Sequence, residues 1–187
     1  MVPQSFPLDT GNGLQPHSVT VERVRCRGRK ALRVRSLPSA DAVYSAQKSG
    51  TGGGIVLIEG SSFREGAIEV DAVGQPQANA PALARGFVGI AFRVPPDASK
   101  YDYVYIRPTN GRADDQERRN HSTQYASFQD NEWLKLRTES PGKYESYIPR
   151  PTHSWKRAEN RQRFVRGSSS QVAVSRLQFS SSNPLHY

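Results

Sequence analysis

Cysteine is nearly absent: Cys26 is the chain's one thiol, which excludes an internal disulfide and a cysteine-ligated zinc site and gives no sign of an oxidising compartment. Long apolar runs are missing too. No stretch approaches the roughly 18 consecutive apolar residues of a membrane-spanning helix, and the opening residues 1–13 have neither a basic start nor an apolar segment of signal-peptide length. The expectation is a soluble chain with no membrane partner, cytoplasmic by default. Extended apolar patterning at helical spacing is also lacking, whereas glycine (15) and proline (13) are plentiful. That combination favours many short strands and turns over helices. At 187 residues the chain suits one domain with a real core, by the prior of about 100 to 200 residues per domain.

Acids are scarce at one end only. Residues 148–187 hold seven Arg and Lys against the lone Glu159, so they carry +6 of the net +9. A pI near 10 would ordinarily suggest a nucleic-acid partner, but the mixed charge of the first 147 residues argues against one.

Alternation places the strands. Residues 18–24 and 30–34, either side of Arg27-Gly28-Arg29, read as a first hairpin. The Gly-rich segment ending in Gly52-Gly53-Gly54 lacks the Lys-Ser/Thr of a phosphate cradle and precedes an apolar run, 55–58, that reads as a strand, so it is taken as a connector. Residues 67–73 alternate as another strand. Residues 87–94 and 101–107 then form the hairpin around which the chain is organised, broken by Pro95-Pro96, which cannot continue a ladder. Beyond it, 108–125 reads as a polar loop, 126–131 as a further loop, and 133–137 as a short strand anchored by Trp133. The Pro141-Gly142 turn leads to a strand at 143–148. From Pro149 the texture changes to serines, clustered arginines and only weak alternation, as in 172–179. Residues 149–187 read either as a basic, Ser/Arg-rich, disordered tail or as out-of-frame sequence in place of the domain's last strands.

Across residues 63–148, the segments FREGAIEVDAVGQ, ARGFVGIAFRV, YDYVYIRPTNGRADDQERRNHSTQY and WLKLRTESPGKYESYI resemble bacterial concanavalin A-like lectin/glucanase domains of the laminin G-like type. The resemblance implies an all-β fold: an antiparallel two-sheet jelly-roll sandwich over residues 1–148. Its concave face would be lined by the second strand of the organising hairpin. After Ile148 the chain departs from the family's text, with only Trp155 echoing it, which favours the out-of-frame reading of 149–187.

Two kinds of chemistry suit such a fold. Glycosidases that share it carry Glu-x-Asp followed by a third acid on one strand, and Glu69-Val70-Asp71 is similar to that motif. The proton-donor position is Gly74, however, and neither Glu59 nor Glu65 has an argument in its favour as a substitute. A glycan-active hydrolase therefore stands as the alternative, with its catalytic residues unassigned.

The leading expectation is a lectin-like module. Tyr105, Arg107, Thr109, Asn110, Arg118, Arg119, Asn120, His121, Gln124, Tyr125 and Trp133 are its candidate carbohydrate-binding residues, gathered on one solvent-facing hollow. Arginine and amide forks match vicinal hydroxyls or carboxylates, and aromatic rings offer flat faces for the C–H side of a pyranose. His121 taken alone reads as a structural histidine. Asp114 and Asp115, among Arg112, Arg118 and Arg119, read as ion-pair partners and not as calcium ligands, so neither metal nor cofactor is expected.

Overall fold

The computed structural model describes residues 4–37, 54–63, 67–78, 80, 84–128, 130–146 and 170–180, the last as a backbone strand. Strands account for 47% of these residues and helices for 14%, and every paired ladder is antiparallel. Among the described residues no helix is long and apolar enough to cross a membrane.

The first hairpin forms where alternation predicts it. β3 (Val19–Cys26) pairs with β4 (Arg29–Ser36) through a two-residue turn, Arg27-Gly28, in which both φ angles are positive, 51° and 81°. A left-handed pair in a two-residue loop matches the right-handed twist of the strands it joins. Leu32, Val34 and Ser36 turn inward from β4. Arg33 and Arg35 point out, and both pair with Glu22 across the ladder.

β4 belongs to a five-stranded sheet whose central strand is β11 (Ser170–Ser180). β6 (Ala67–Pro76) runs the whole length of β11 on one side, while β4 and β1 (Gln4–Phe6) share its other side at 171–174 and 177–179. Residues 170–180, assigned by sequence to a tail beyond the domain, are thus a sheet strand. The weak alternation of 172–179 was its trace. The rest of that tail, 149–169 and 181–187, lies outside the described residues, as do 38–53 with most of the Gly-rich connector.

The second sheet has the order β10-β9-β8-β7: Glu145–Ser146, Thr123–Phe128, Tyr101–Ile106 and Val88–Phe92. A smaller ladder joins β2 (Leu14–His17) to β5 (Ile55–Ile58). The two faces of the second sheet serve different cores. Val88 and Ile90, with Phe92 and Ile106, pack against Leu32 of β4, Val70 of β6 and Leu8. The opposite face presents Tyr101, Tyr103 and Tyr105, all buried, which pack with Ala126, Ile55 and Leu136. Tyr103 and Tyr105 stack at 5.5 Å, and Tyr101 lies 5.1 Å from Phe128.

Three segments depart from the sequence reading. The polar loop at 108–125 contains two short helices, α1 (Pro108–Gly111) and α2 (Gln116–Asn120), before β9 begins at Thr123. Pro108 starts α1, where its missing N–H costs nothing, and the Asp115 carboxylate caps α2 by accepting from Glu117 N at 2.9 Å. The loop expected at 126–131 is displaced by β9, which runs to Phe128. The strand expected at 133–137 is a helix, α3 (Trp133–Glu139). Five residues cannot separate a period of 2 from one of 3.6, and Leu, Lys, Arg and Glu all favour helix. Helical spacing puts Trp133 and Arg137 on one face and leaves Leu134 exposed. The last expected strand, 143–148, is present as β10, Glu145–Ser146, with 147–148 outside the described residues.

Gly74 marks a close approach between the sheets. A Cβ there would lie 2.3 Å from Gly86 O and 2.7 Å from Val88 Cγ1. Gly74→Ala is expected to lower stability by about 1 to 3 kcal/mol. Urea denaturation should show a reduced midpoint with an unchanged slope, and a wild-type midpoint would contradict this contact.

Candidate functional site

The polar residues downstream of the double proline do not form one open hollow. Arg107, Asn110, Arg119 and Gln124 are buried, at 5%, 7%, 5% and 0% exposure. A buried donor must find an acceptor, and each of these turns inward to do so. Arg119 Nη1 donates to Ala113 O and Asp114 O, both at 2.7 Å, and its Nη2 donates to Gln116 Oε1. Asn110 Nδ2 donates to His121 O at 3.2 Å. These two side chains tie α1 and α2 to the start of β9. Thr109, half-buried, donates to Arg85 O.

The outer members of the set separate. Arg118 and Asn120 are exposed on α2, where Asn120 Oδ1 accepts from Gln116. Tyr125 leaves β9 on the face opposite Gln124, and its hydroxyl donates to Asp102 Oδ1 at 2.9 Å. Burial first, and then the Asp102 carboxylate, push that phenol above the usual tyrosine range.

Arg107, Tyr105, Gln124, His121 and Trp133 do come together. Arg107 leaves the end of β8 and donates to His121 O at 3.0 Å and to the Tyr105 hydroxyl at 2.8 Å, with a longer contact to Gln124 Oε1 at 3.4 Å. Its guanidinium lies 4.9 Å from the centre of the Tyr105 ring and 5.7 Å from that of Trp133. The group converges on a residue the sequence reading passed over, Glu145 of β10. Its carboxylate accepts from Arg137 Nε at 3.2 Å and from Arg137 Nη2, meets His121 Nδ1 at 2.7 Å and lies 3.5 Å from Arg107 Nη1. Arg137 also lies 4.8 Å from the centre of the Trp133 ring.

The Glu145 side chain is only 4% exposed. Burial alone would raise its pKa, but Arg137 and then His121 outweigh that and hold it below the usual glutamate value. An ionised carboxylate thus sits between two guanidiniums and an imidazole, under a half-buried indole. Of its ion-pair partners, His121 (29% exposed) and Arg137 (31% exposed) are partly open to solvent. Two patterns could have flagged the missed residues: Arg137 stands four positions after Trp133, and Glu145 alternates with Tyr144 and Ser146.

The acids of the Glu-x-Asp stretch lie elsewhere in the fold. Glu69 and Asp71 point away from the core that Ile68, Val70 and Ala72 face, and Asp71 pairs with Arg29 at 3.2 Å. At Gly74, the third position of the motif, a side chain would collide with Gly86 O and Val88. Glu59 is exposed and accepts from Gln15, while Glu65 lies outside the described residues. Among the described residues no group of three or more His, Cys, Asp or Glu could hold a metal ion. Comparison with protein-family models, curated proteins and solved structures finds no match.

Because the folded-state pKa of Glu145 is depressed, its stabilising contribution is complete above the unfolded value, about 4.3. It is lost as the pH falls through and below that value. Glu145→Gln, which leaves Arg107 buried beside a neutral partner, should cost on the order of 3 kcal/mol at pH 7. Between pH 5 and about 3 its melting temperature should fall less steeply than that of the wild type. Parallel melting curves across that window would remove Glu145 from this role.

Proposed function

We propose that the chain is a carbohydrate-recognition domain of concanavalin A-like, jelly-roll sandwich type, and that the saccharide is held at the rim formed by His121, Trp133 and Arg137. The observation that carries this reading is the half-buried Trp133 indole, braced by Arg107 and Arg137. A flat apolar ring beside outward-facing donors is what a pyranose needs, because one side of the sugar presents C–H bonds and its edge presents hydroxyls. Helix α3, which carries Trp133, is anchored to the tyrosine face of the sheet by buried Leu136, and a ring placed in advance reduces the ordering entropy that opposes binding.

Arg107, Asn110, Arg119 and Gln124 take a positioning role in this reading. They fix the short helices and the His121 backbone, and they do not touch the sugar. Arg118 and Asn120, exposed on α2 just before His121, are the side chains through which an extended oligosaccharide would make secondary contacts, and Thr109 is held on Arg85 O.

A glycan array probed with the intact chain should show retained saccharides, and titration calorimetry on the best of them should give a Kd raised about tenfold by Trp133→Ala, the equivalent of about 1.4 kcal/mol. Arg29→Ala, on the other sheet, should leave affinity unchanged. An array without retained glycans would defeat the proposal.

A further inference from the structure

Positive charge in the first 147 residues is gathered on one hairpin. Residues 19–36, β3 with β4, hold seven Arg and Lys against Glu22, a net +6, so the rest of those 147 residues comes to a net −3. Mixed charge that is segregated in this way attracts polyanions, whereas an even mixture does not. Glu22 pairs with Arg33 and Arg35, and Asp71 of β6 with Arg29. With both acids counted, the hairpin still keeps +5. The other four cations, Arg23, Arg25, Arg27 and Lys30, are exposed, and none has an acidic partner among the described residues.

Register brings three of them together. Arg25 stands directly opposite Lys30, and Arg23 opposite Leu32. Directly opposed residues share a face with their Cβ atoms about 5 Å apart, and residues two apart on a strand share one as well. Arg23, Arg25 and Lys30 therefore occupy one face of the ribbon, with Arg27 in the turn beside them. Like charges opposed across an antiparallel ladder are destabilising, and an anion bound against this face would relieve the repulsion.

The setting narrows the kind of anion. β3 is a sheet edge with β4 as its one ladder partner among the described residues, and β4 pairs with β11 only at 32–35, with β1 taking over along β11 at 177–179. Residues 24–31 are thus a two-stranded ribbon without flanking ladders, and such a ribbon, like an α-helix, fits the major groove of a DNA duplex. The hairpin has no aromatic side chain on which unpaired bases could stack. The large apolar side chains exposed among the described residues, Phe63 and Leu134, lie elsewhere, so the hairpin offers a lipid surface nothing to insert. Three of the four cations are arginines, whose planar forks match pairs of phosphate oxygens.

We infer that the ribbon of β3 and β4 binds the phosphate backbone of duplex DNA along the major groove, through Arg23, Arg25, Arg27 and Lys30. This surface shares no residue with the saccharide rim and stands independently of it. Contacts to phosphate make the binding strongly salt-dependent and carry no sequence information.

The test is fluorescence anisotropy of a labelled, mixed-sequence DNA duplex titrated with the full chain over a series of salt concentrations. Four phosphate contacts predict a slope of log affinity against log salt of about −3.6 or steeper. The triple substitution Arg23→Gln, Arg25→Gln and Arg27→Gln should make that slope shallower by about 2.7 and weaken binding at least about tenfold at physiological ionic strength. Because it relieves the repulsion at Lys30, its melting temperature should not fall, and lost binding then reports lost contacts. A second triple, Lys100→Gln, Arg112→Gln and Lys135→Gln, removes the same charge from exposed positions elsewhere and should keep the wild-type slope. Equal losses in the two variants, or no loss in the first, would overturn the assignment to the ribbon. So would a wild-type chain that does not bind the duplex, or one that binds a single strand or anionic phospholipid vesicles as tightly.

Discussion

The ionised carboxylate of Glu145 is the interaction on which the candidate site depends. Four segments that are distant in sequence reach it or its partners: the end of β8 through Arg107, the approach to β9 through His121, α3 through Arg137, and β10, which carries Glu145 itself. A buried ion pair is a poor source of net stability, since desolvation offsets most of the Coulomb attraction. Its value is directional. With one partner removed, an uncompensated charge remains in the interior, so alternative packings of these segments are strongly disfavoured.

The aromatic layer beneath depends on the same constraint. Tyr105 accepts from Arg107, Tyr103 donates to Glu132 at the start of α3, and the two rings stack. Each phenol has an apolar body within the core and a polar tip on a charged side chain, Arg107 for Tyr105 and Glu132 for Tyr103. The sheet face that could have been an open cleft is therefore filled by α3 and by its own tyrosines, and what stays accessible is the border where the helix meets the sheet.

The hairpins were legible in the sequence because a period of 2 with turn residues between is a strong local signal. Residues 19–26 and 29–36 are set by alternation and Arg27-Gly28, and residues 88–92 and 101–106 by the Tyr-x-Tyr-x-Tyr pattern after the double proline. Of the candidate residues, Tyr105, Arg107, His121, Gln124 and Trp133 come together while Arg118, Asn120 and Tyr125 stand apart, because polarity does not reveal the direction in which a side chain points. The sequence reading turned them toward water, whereas the backbone carbonyls of Ala113 and Asp114 between α1 and α2, and of His121 before β9, take their donors from within. Glu145 and Arg137 were overlooked because neither belongs to a local motif, and a salt bridge between a helix and a strand is a tertiary fact. The strand at 170–180 was hidden in a different way, because its alternation is weak in a composition that resembles a tail.

That strand also governs how the sheet can be assembled. Residues 4–6, 32–35 and 67–76 find their ladder partners at 170–180, so the two earliest segments wait for chain synthesised more than a hundred residues later. While the ribosome is at work, β3 with β4 and β7 with β8 can close as isolated hairpins, but β6 has no ladder partner among the described residues until 170–180 have been made. Such long-range pairing makes for slow folding and a nascent chain with strand edges open to neighbours. In this protein the main-chain bonds that join the sheet together are those between segments far apart in the chain.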